Sequence, residues 1–179
     1  MIPYGKQDVT KEDIKSVVNI LNSDFLTQGP AVPLFEKSLC DYTGAEYSIA
    51  VNSATSALHI ACLSLDLKKG DILWTSAISF VASANCAIYC GAEVDFVDVD
   101  SDSGLMSVDA LRSKLLKAKS ANTLPKIVIP VHLAGQSCNM KEIFKLSKEF
   151  NFRIIEDAAH AIGAEYFDKK VGSCVFSDI

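Results

Sequence analysis

Five short apolar runs, "YSIAV", "DILWT", "VDFVDV", "KIVIPVHL" and "FRIIED", recur along the chain, each rich in β-branched residues. Between them stand segments with helical spacing: "ATSALHIACLSL", "SFVASANCAIYC", "SVDALRSKLLKAK" and "NMKEIFKLSKEF". An unbroken apolar run suits a strand covered on both faces. Strands that alternate with helices run parallel, because each crossover returns the chain to the same edge. The pattern predicts an α/β fold, a mainly parallel sheet of at least five strands with helices on both faces.

Ahead of the alternating region, Thr10 opens a helix with Ile14, Val17, Val18 and Leu21 on one stripe. A Gly/Pro-punctuated loop, "DFLTQGPAVP", leads to a second helix, "LFEKSLCDYTG", closed by Gly44. Asn139, with Glu142 three residues on, has the spacing of a capping box.

The 179 residues suffice for one domain with a sizeable core. A net charge of -5 argues against a general nucleic-acid or anionic-membrane binder, either of which favours a basic surface. The densest basic cluster, Arg112, Lys114, Lys117 and Lys119, is scattered around its helix and reads as a solvated face. No apolar run reaches membrane-spanning length, and the start of the chain lacks a basic-then-apolar signal pattern. The six cysteines include no Cys-x-x-Cys pair; Cys86 and Cys90 could share a helix face but have no further ligands nearby. Reduced thiols, no metal and a cytoplasmic location are expected.

Parallel sheets bind ligands outside the carboxyl ends of their strands. Polar loops follow each predicted strand there: "NSATS", "SAISF", "DVDSD", "HLAGQ" and "EDAAH". The standard phosphate loop, the dinucleotide glycine motif, the H-E-x-x-H zinc motif and the nucleophile elbow are all missing. "NSATS" offers another way to hold a phosphate, through free amides at a helix N-terminus and the Thr55 hydroxyl. Taken alone it is a plain helix cap. Asp157 likewise reads either as a cap, with His160 in the first turn behind it, or as the partner of a ring nitrogen that must stay protonated. Pyridoxal phosphate requires such a partner. Phe80 could cover a ring face, or belong to the core.

Together these stretches resemble the DegT/DnrJ/EryC1/StrS family of sugar aminotransferases, pyridoxal-phosphate enzymes of fold type I. The resemblance rests on "LTQGPAVPLFEKSL", "YTGAEYSIAVNSATSALHIA", "SFVASANCAIYCGAEVDFVDVD", "IPVHLAGQSCNM" and "IIEDAAHAIGAEYFDKKVGS", in the family's order and spacing. The third string, and His in place of the commoner Gln at position 160, look most like the branch that makes pseudaminic acid precursors. The resemblance implies amination of a UDP-linked 4-keto-6-deoxy-N-acetylhexosamine with glutamate as donor, in a homodimer with shared active sites. It also implies roles: Ala54 and Thr55 on the cofactor phosphate, Phe80 stacked on the ring, Asp157 at the ring nitrogen and His160 at the phenolic oxygen. Thr27, Gln28 and Gly29 would form the loop approaching the sugar nucleotide.

The family's cofactor-anchoring lysine belongs to a motif of the form D-I-x-x-F-S-F-x-x-x-K, and this chain ends in "VGSCVFSDI", inside its opening. Lys169 and Lys170 fall in the family's preceding loop and do not replace it. Residues 1–179 are therefore expected to form a single incomplete domain, the N-terminal part of the family's large domain. That domain should be inactive alone as a transaminase and expose apolar surface that favours self-association. Some members carry histidine at the lysine position and are sugar dehydratases, which keeps that reading open beside a non-catalytic α/β binding domain.

Overall fold

The computed structural model describes residues 6–179. Residues 1–5, where the signal-pattern reading begins, lie outside it. Two helices, α1 (Lys11–Leu21) and α2 (Ala31–Thr43), come first. The alternating region follows as α3 (Ala54–Ser64), β1 (Ile72–Ser76), α4 (Ala82–Tyr89), β2 (Glu93–Val97), α5 (Val108–Ala121), β3 (Ile127–Ile129), α6 (Met140–Phe150) and β4 (Arg153–Ile154). A small antiparallel hairpin, β5 (Glu165–Tyr166) and β6 (Lys169–Lys170), closes the succession.

The sheet is parallel throughout, in the order β2-β1-β3-β4. Its apolar runs are continuous because both faces are buried. Trp74, Val128 and Ile154 pack towards Leu111 and Leu115 of α5 and Ile143 and Leu146 of α6. Their neighbours Leu73, Ile127, Ile129 and Ile155 pack on the other face against Leu58 and Cys62 of α3 and Cys86 and Ala87 of α4. Alternate residues of one strand thus supply two cores. Each fully buried Leu or Ile contributes about 1.5–3 kcal/mol of transfer free energy.

One predicted strand does not form. Residues 47–51, "YSIAV", run without a strand partner, with Tyr47 79% and Ile49 75% exposed. Among the described residues the parallel sheet therefore has four strands, not at least five. The apolar pattern shows what the segment could bury, but a strand also needs a neighbour for its amides and carbonyls. Here the Ala50 amide donates instead to the Glu36 carboxylate of α2 (2.8 Å). Beside β4, the Ile179 amide donates to the Ile154 carbonyl (3.3 Å) and its carbonyl accepts from the Glu156 amide (2.8 Å).

The helix ends follow local chemistry, with one exception. Thr10 caps α1 in a reciprocal box with Asp13, whose carboxyl is held below its usual range by the Thr10 amide and hydroxyl. Gly44, at φ +83°, ends α2 and donates to the Cys40 carbonyl (2.8 Å). The box expected at Asn139 is not made. The Asn139 side chain instead accepts from the Tyr166 hydroxyl of β5 (2.9 Å), and Glu142 pairs with Lys145 (2.6 Å). A tertiary partner has displaced the local one.

The predicted apolar stripe of α1 is present but uncovered. Ile14, Val17 and Leu21 are all more than half exposed, and neither α1 nor α2 contains a buried residue. The basic cluster on α5 is only partly a solvated face. Lys114 turns inward to pair with Asp95 (2.6 Å) and lies over the Trp74 ring (4.9 Å). All six cysteines are free, with Cys62, Cys86 and Cys138 buried, Cys40 and Cys90 half-buried and Cys174 exposed. Among the described residues, no helix is long and apolar enough to cross a membrane. None of the His, Cys, Asp and Glu side chains in that range are grouped to hold a metal ion.

Candidate functional site

Because all four strands point the same way, their carboxyl ends share one edge, and a cavity of about 470 Å³ opens there. Its walls come from the first turns of α3, the loop after β1, the turn after β3 and the loop after β4. All five residues expected to hold a cofactor line it: Ala54, Thr55, Phe80, Asp157 and His160.

The α3 wall shows how a cap and an anion site can coexist. Ser53 is the cap and accepts from the Ser56 amide (3.2 Å), while the first intrahelical bond runs from Ala57 to the Ser53 carbonyl (3.0 Å). The amides of Ala54 and Thr55 lie ahead of that bond, at the positive end of the helix. The Thr55 hydroxyl takes no part in the cap. Phe80 is 71% exposed, so it belongs to the cavity mouth and not to the core.

Asp157 is buried and sits where the β3 and β4 lines run on past their ends. Its amide donates to the Pro130 carbonyl (3.0 Å) and its carbonyl accepts from the His132 amide (3.0 Å). No helix follows it. Residues 159–160 and 162–163 form turns, so the reading of Asp157 as a helix cap, with His160 in a first helical turn, is overturned. One carboxylate oxygen, Oδ2, accepts from Ser83 (2.6 Å); the other, Oδ1, accepts from the Ala159 amide (3.3 Å). His160 is exposed at the rim. Its backbone carbonyl is approached closely by Gly135, where an added Cβ would lie 2.9 Å from the oxygen on a backbone already at φ +89°.

Several residues of the site carried no clear sequence signal. His132 is fully buried in side chain and lines the cavity; its Nε2 faces Glu156 Oε2 (2.9 Å) and its Nδ1 accepts from the Cys138 amide (3.3 Å). An Nδ1 that accepts fixes the tautomer, so the proton resides on Nε2 and is given to the carboxylate. Its place near the end of the fourth apolar run, as Asp157 ends the fifth, was the one available hint. Beneath it, burial first and the Glu156 charge second push the Cys138 thiol up to about 11. Its Sγ donates to the Val131 carbonyl (3.2 Å).

Not every predicted loop joins the site. "DVDSD" lies away from this cavity, with Asp100 accepting from the amides of Asp102 and Ser103 in its own turn. Thr27, Gln28 and Gly29 occupy the loop before α2, outside the cavity lining, with Gln28 in left-handed backbone at φ 55°. Lys169 and Lys170 are also elsewhere, Lys170 paired with Glu165 (2.6 Å) across the hairpin.

The sequence profile of the DegT/DnrJ/EryC1/StrS aminotransferase family matches residues 7–177. Over 173 residues the chain is 38% identical to UDP-4-amino-4,6-dideoxy-N-acetyl-beta-L-altrosamine transaminase from Campylobacter jejuni, covering 97% of this chain and 45% of that one. Among solved structures, Helicobacter pylori PseC, an aminotransferase involved in the biosynthesis of pseudoaminic acid, superposes with a TM-score of 0.85. It shares 34% identity, over 94% of this chain and 44% of its own. The PLP form of the sugar aminotransferase Spr1654 from Streptococcus pneumoniae also gives 0.85, at 29% identity over 99% of this chain and 47% of its own. The chain spans about half the length of the relatives it matches.

Proposed function

The chain belongs to the DegT/DnrJ/EryC1/StrS aminotransferase family, and we propose that its protein transfers an amino group from glutamate to a UDP-linked 4-keto-6-deoxy sugar. The reading includes pyridoxal phosphate as cofactor, a homodimer, a cytoplasmic location and residues 1–179 as the first part of a larger domain. The convergence of Ala54, Thr55, Phe80, Asp157 and His160 on one cavity carries it. The volume lies within the roughly 300–1,000 Å³ common for small-molecule sites, and the donor set suits the cofactor's three kinds of group.

When bound, pyridoxal phosphate supplies an electron sink for proton removal next to nitrogen. This chain's residues have separate tasks. Ala54 and Thr55 hold the phosphate with two amides and a hydroxyl at the α3 N-terminus. Phe80 covers the ring face. The Asp157 carboxylate keeps a proton on the ring nitrogen, and His160 hydrogen-bonds the phenolic oxygen. Thr27, Gln28 and Gly29 approach the sugar nucleotide from their separate loop. The similarity to a transaminase named for a UDP-linked dideoxy sugar supports the substrate class.

Pyridoxamine phosphate tests the site directly, because the amino form of the cofactor needs no lysine to hold it. Saturable binding to this chain is expected, weakened at least about tenfold, or 1.4 kcal/mol, by Asp157→Ala. Binding that ignores this substitution would refute the assignment. Amino transfer from glutamate to a UDP-linked 4-keto sugar is the corresponding assay on a polypeptide that continues through the family's lysine motif.

A further inference from the structure

Ser83, in the first turn of α4, is completely buried and does not line the cavity, yet it touches three of the residues that do. Its amide donates to the Phe80 carbonyl (3.1 Å), and its hydroxyl donates to Asp157 Oδ2 (2.6 Å). One residue therefore joins the group assigned to the ring face to the group assigned to the ring edge. A third contact completes the arrangement: Ser79, on the cavity wall, lies 2.6 Å from Ser83, hydroxyl to hydroxyl.

The protons of this chain can be assigned by counting. A serine hydroxyl has one hydrogen to give and two lone pairs to receive. The Ser83 hydrogen goes to the carboxylate, so Ser83 must accept from Ser79. The Ser79 hydrogen is then unavailable to the Phe80 carbonyl, its other neighbour at 3.1 Å. The order is Ser79 to Ser83 to Asp157, with every hydroxyl proton directed towards the acid.

We infer that Ser83 is a positioning residue for Asp157: with Ser79 behind it, it holds Oδ2 in place and leaves the carboxylate oriented as an acceptor towards the cavity. This rests on the cofactor reading above for its purpose, but not for its geometry. Without this donor the buried carboxylate would be held by the longer bond from the Ala159 amide to Oδ1 (3.3 Å) and would meet the ring nitrogen less well. Hydrogen bonds to a charged acceptor are the stronger kind, and chains of hydroxyls strengthen one another in a water-poor interior. The main-chain bond from the Ser83 amide to the Phe80 carbonyl ties the backbone that carries the ring-face residue to the same helix start.

Two measurements on this chain test the inference, one with cofactor and one without. In the first, pyridoxamine phosphate labelled with 15N in the ring is bound to the wild type, Ser83→Ala, Ser79→Ala and Asp157→Ala. Ser83→Ala is expected to bind within about threefold of wild type, because the phosphate contacts remain, while its ring-nitrogen resonance moves towards the unprotonated position. Ser79→Ala should move it the same way by less. A wild-type resonance in Ser83→Ala overturns the inference. In the second, unfolding constants are measured without cofactor for the wild type, Ser83→Ala, Asp157→Ala and the double variant. The double variant should depart from the product of the singles by about tenfold, the size expected of a hydrogen-bonded pair. A multiplicative result overturns the positioning role. Failure of the wild type to bind pyridoxamine phosphate would count against the cofactor reading, and the second measurement would still decide for or against Ser83.

Discussion

Replacing Glu156 with alanine should destabilise the chain more than its partly exposed position suggests, through its effect on His132. The His132 side chain is fully buried, its Nδ1 is engaged by the Cys138 amide, and its Nε2 proton has Glu156 as its partner at 2.9 Å. Alanine leaves that donor without an acceptor in a site that water reaches poorly, which costs about 1–3 kcal/mol. Part of this is offset, because the Glu156 side chain is itself only 10% exposed and its removal relieves some desolvation. A net loss of about 2 kcal/mol corresponds to a melting temperature lower by about 4–8 °C for a domain of this size. Glu156→Gln keeps an oxygen acceptor in place and should lose about 1 kcal/mol or less. Thermal and urea unfolding of the three proteins provide the comparison. Equal stability of Glu156→Ala and wild type would refute the argument, and so would a glutamine variant as damaged as the alanine one.

Three further outcomes are expected. Burial raises the Cys138 thiol from the ordinary value of 9.0 to about 11, so the folded chain holds that proton more tightly than the unfolded one. The associated stability, about 2–3 kcal/mol, is complete below pH 9 and lost as pH rises through 11; urea titrations should show Cys138→Ala with the shallower decline. Phe80→Ala should leave the unliganded melting temperature nearly unchanged, since the ring is exposed, while weakening pyridoxamine phosphate binding about tenfold through lost stacking. Thr10→Ala removes the capping box of a helix that buries nothing, so amide exchange at residues 11–14 should quicken several-fold without a change in global melting.

How much of this was legible in the sequence depends on whether the partner is near or far along the chain. The apolar runs that became β1 to β4 could be read because burial on both faces writes itself into every position of a strand. "YSIAV" carries the same writing but lacks the neighbour, and periodicity cannot distinguish a covered strand from an uncovered one. The β5–β6 hairpin left no signal: its two-residue strands are too short for alternation, and its turn places Phe167 and Asp168 at positive φ (48° and 58°) without the usual glycine. Within the site, Asp157, His160 and Thr55 each read alone as parts of helix caps, and they became legible only through the order and spacing of the five strings that resemble the family. Ser83 and Glu156 did not. A serine in a helix and an acid after a strand are commonplace, and their importance comes from contacts 74 and 24 residues away in sequence.

Gly135 turns the rim of the cavity into a matter of mutational freedom. Since a Cβ there would come within 2.9 Å of the His160 carbonyl, any other amino acid at 135 must displace the backbone that presents residue 160. The two positions therefore have opposite tolerances. Residue 160 can exchange one side-chain donor for another without moving the main chain, whereas residue 135 can exchange nothing. A protein altering how it grips a ligand's oxygen would have room to vary the histidine, on a platform kept in place by an absent methyl group.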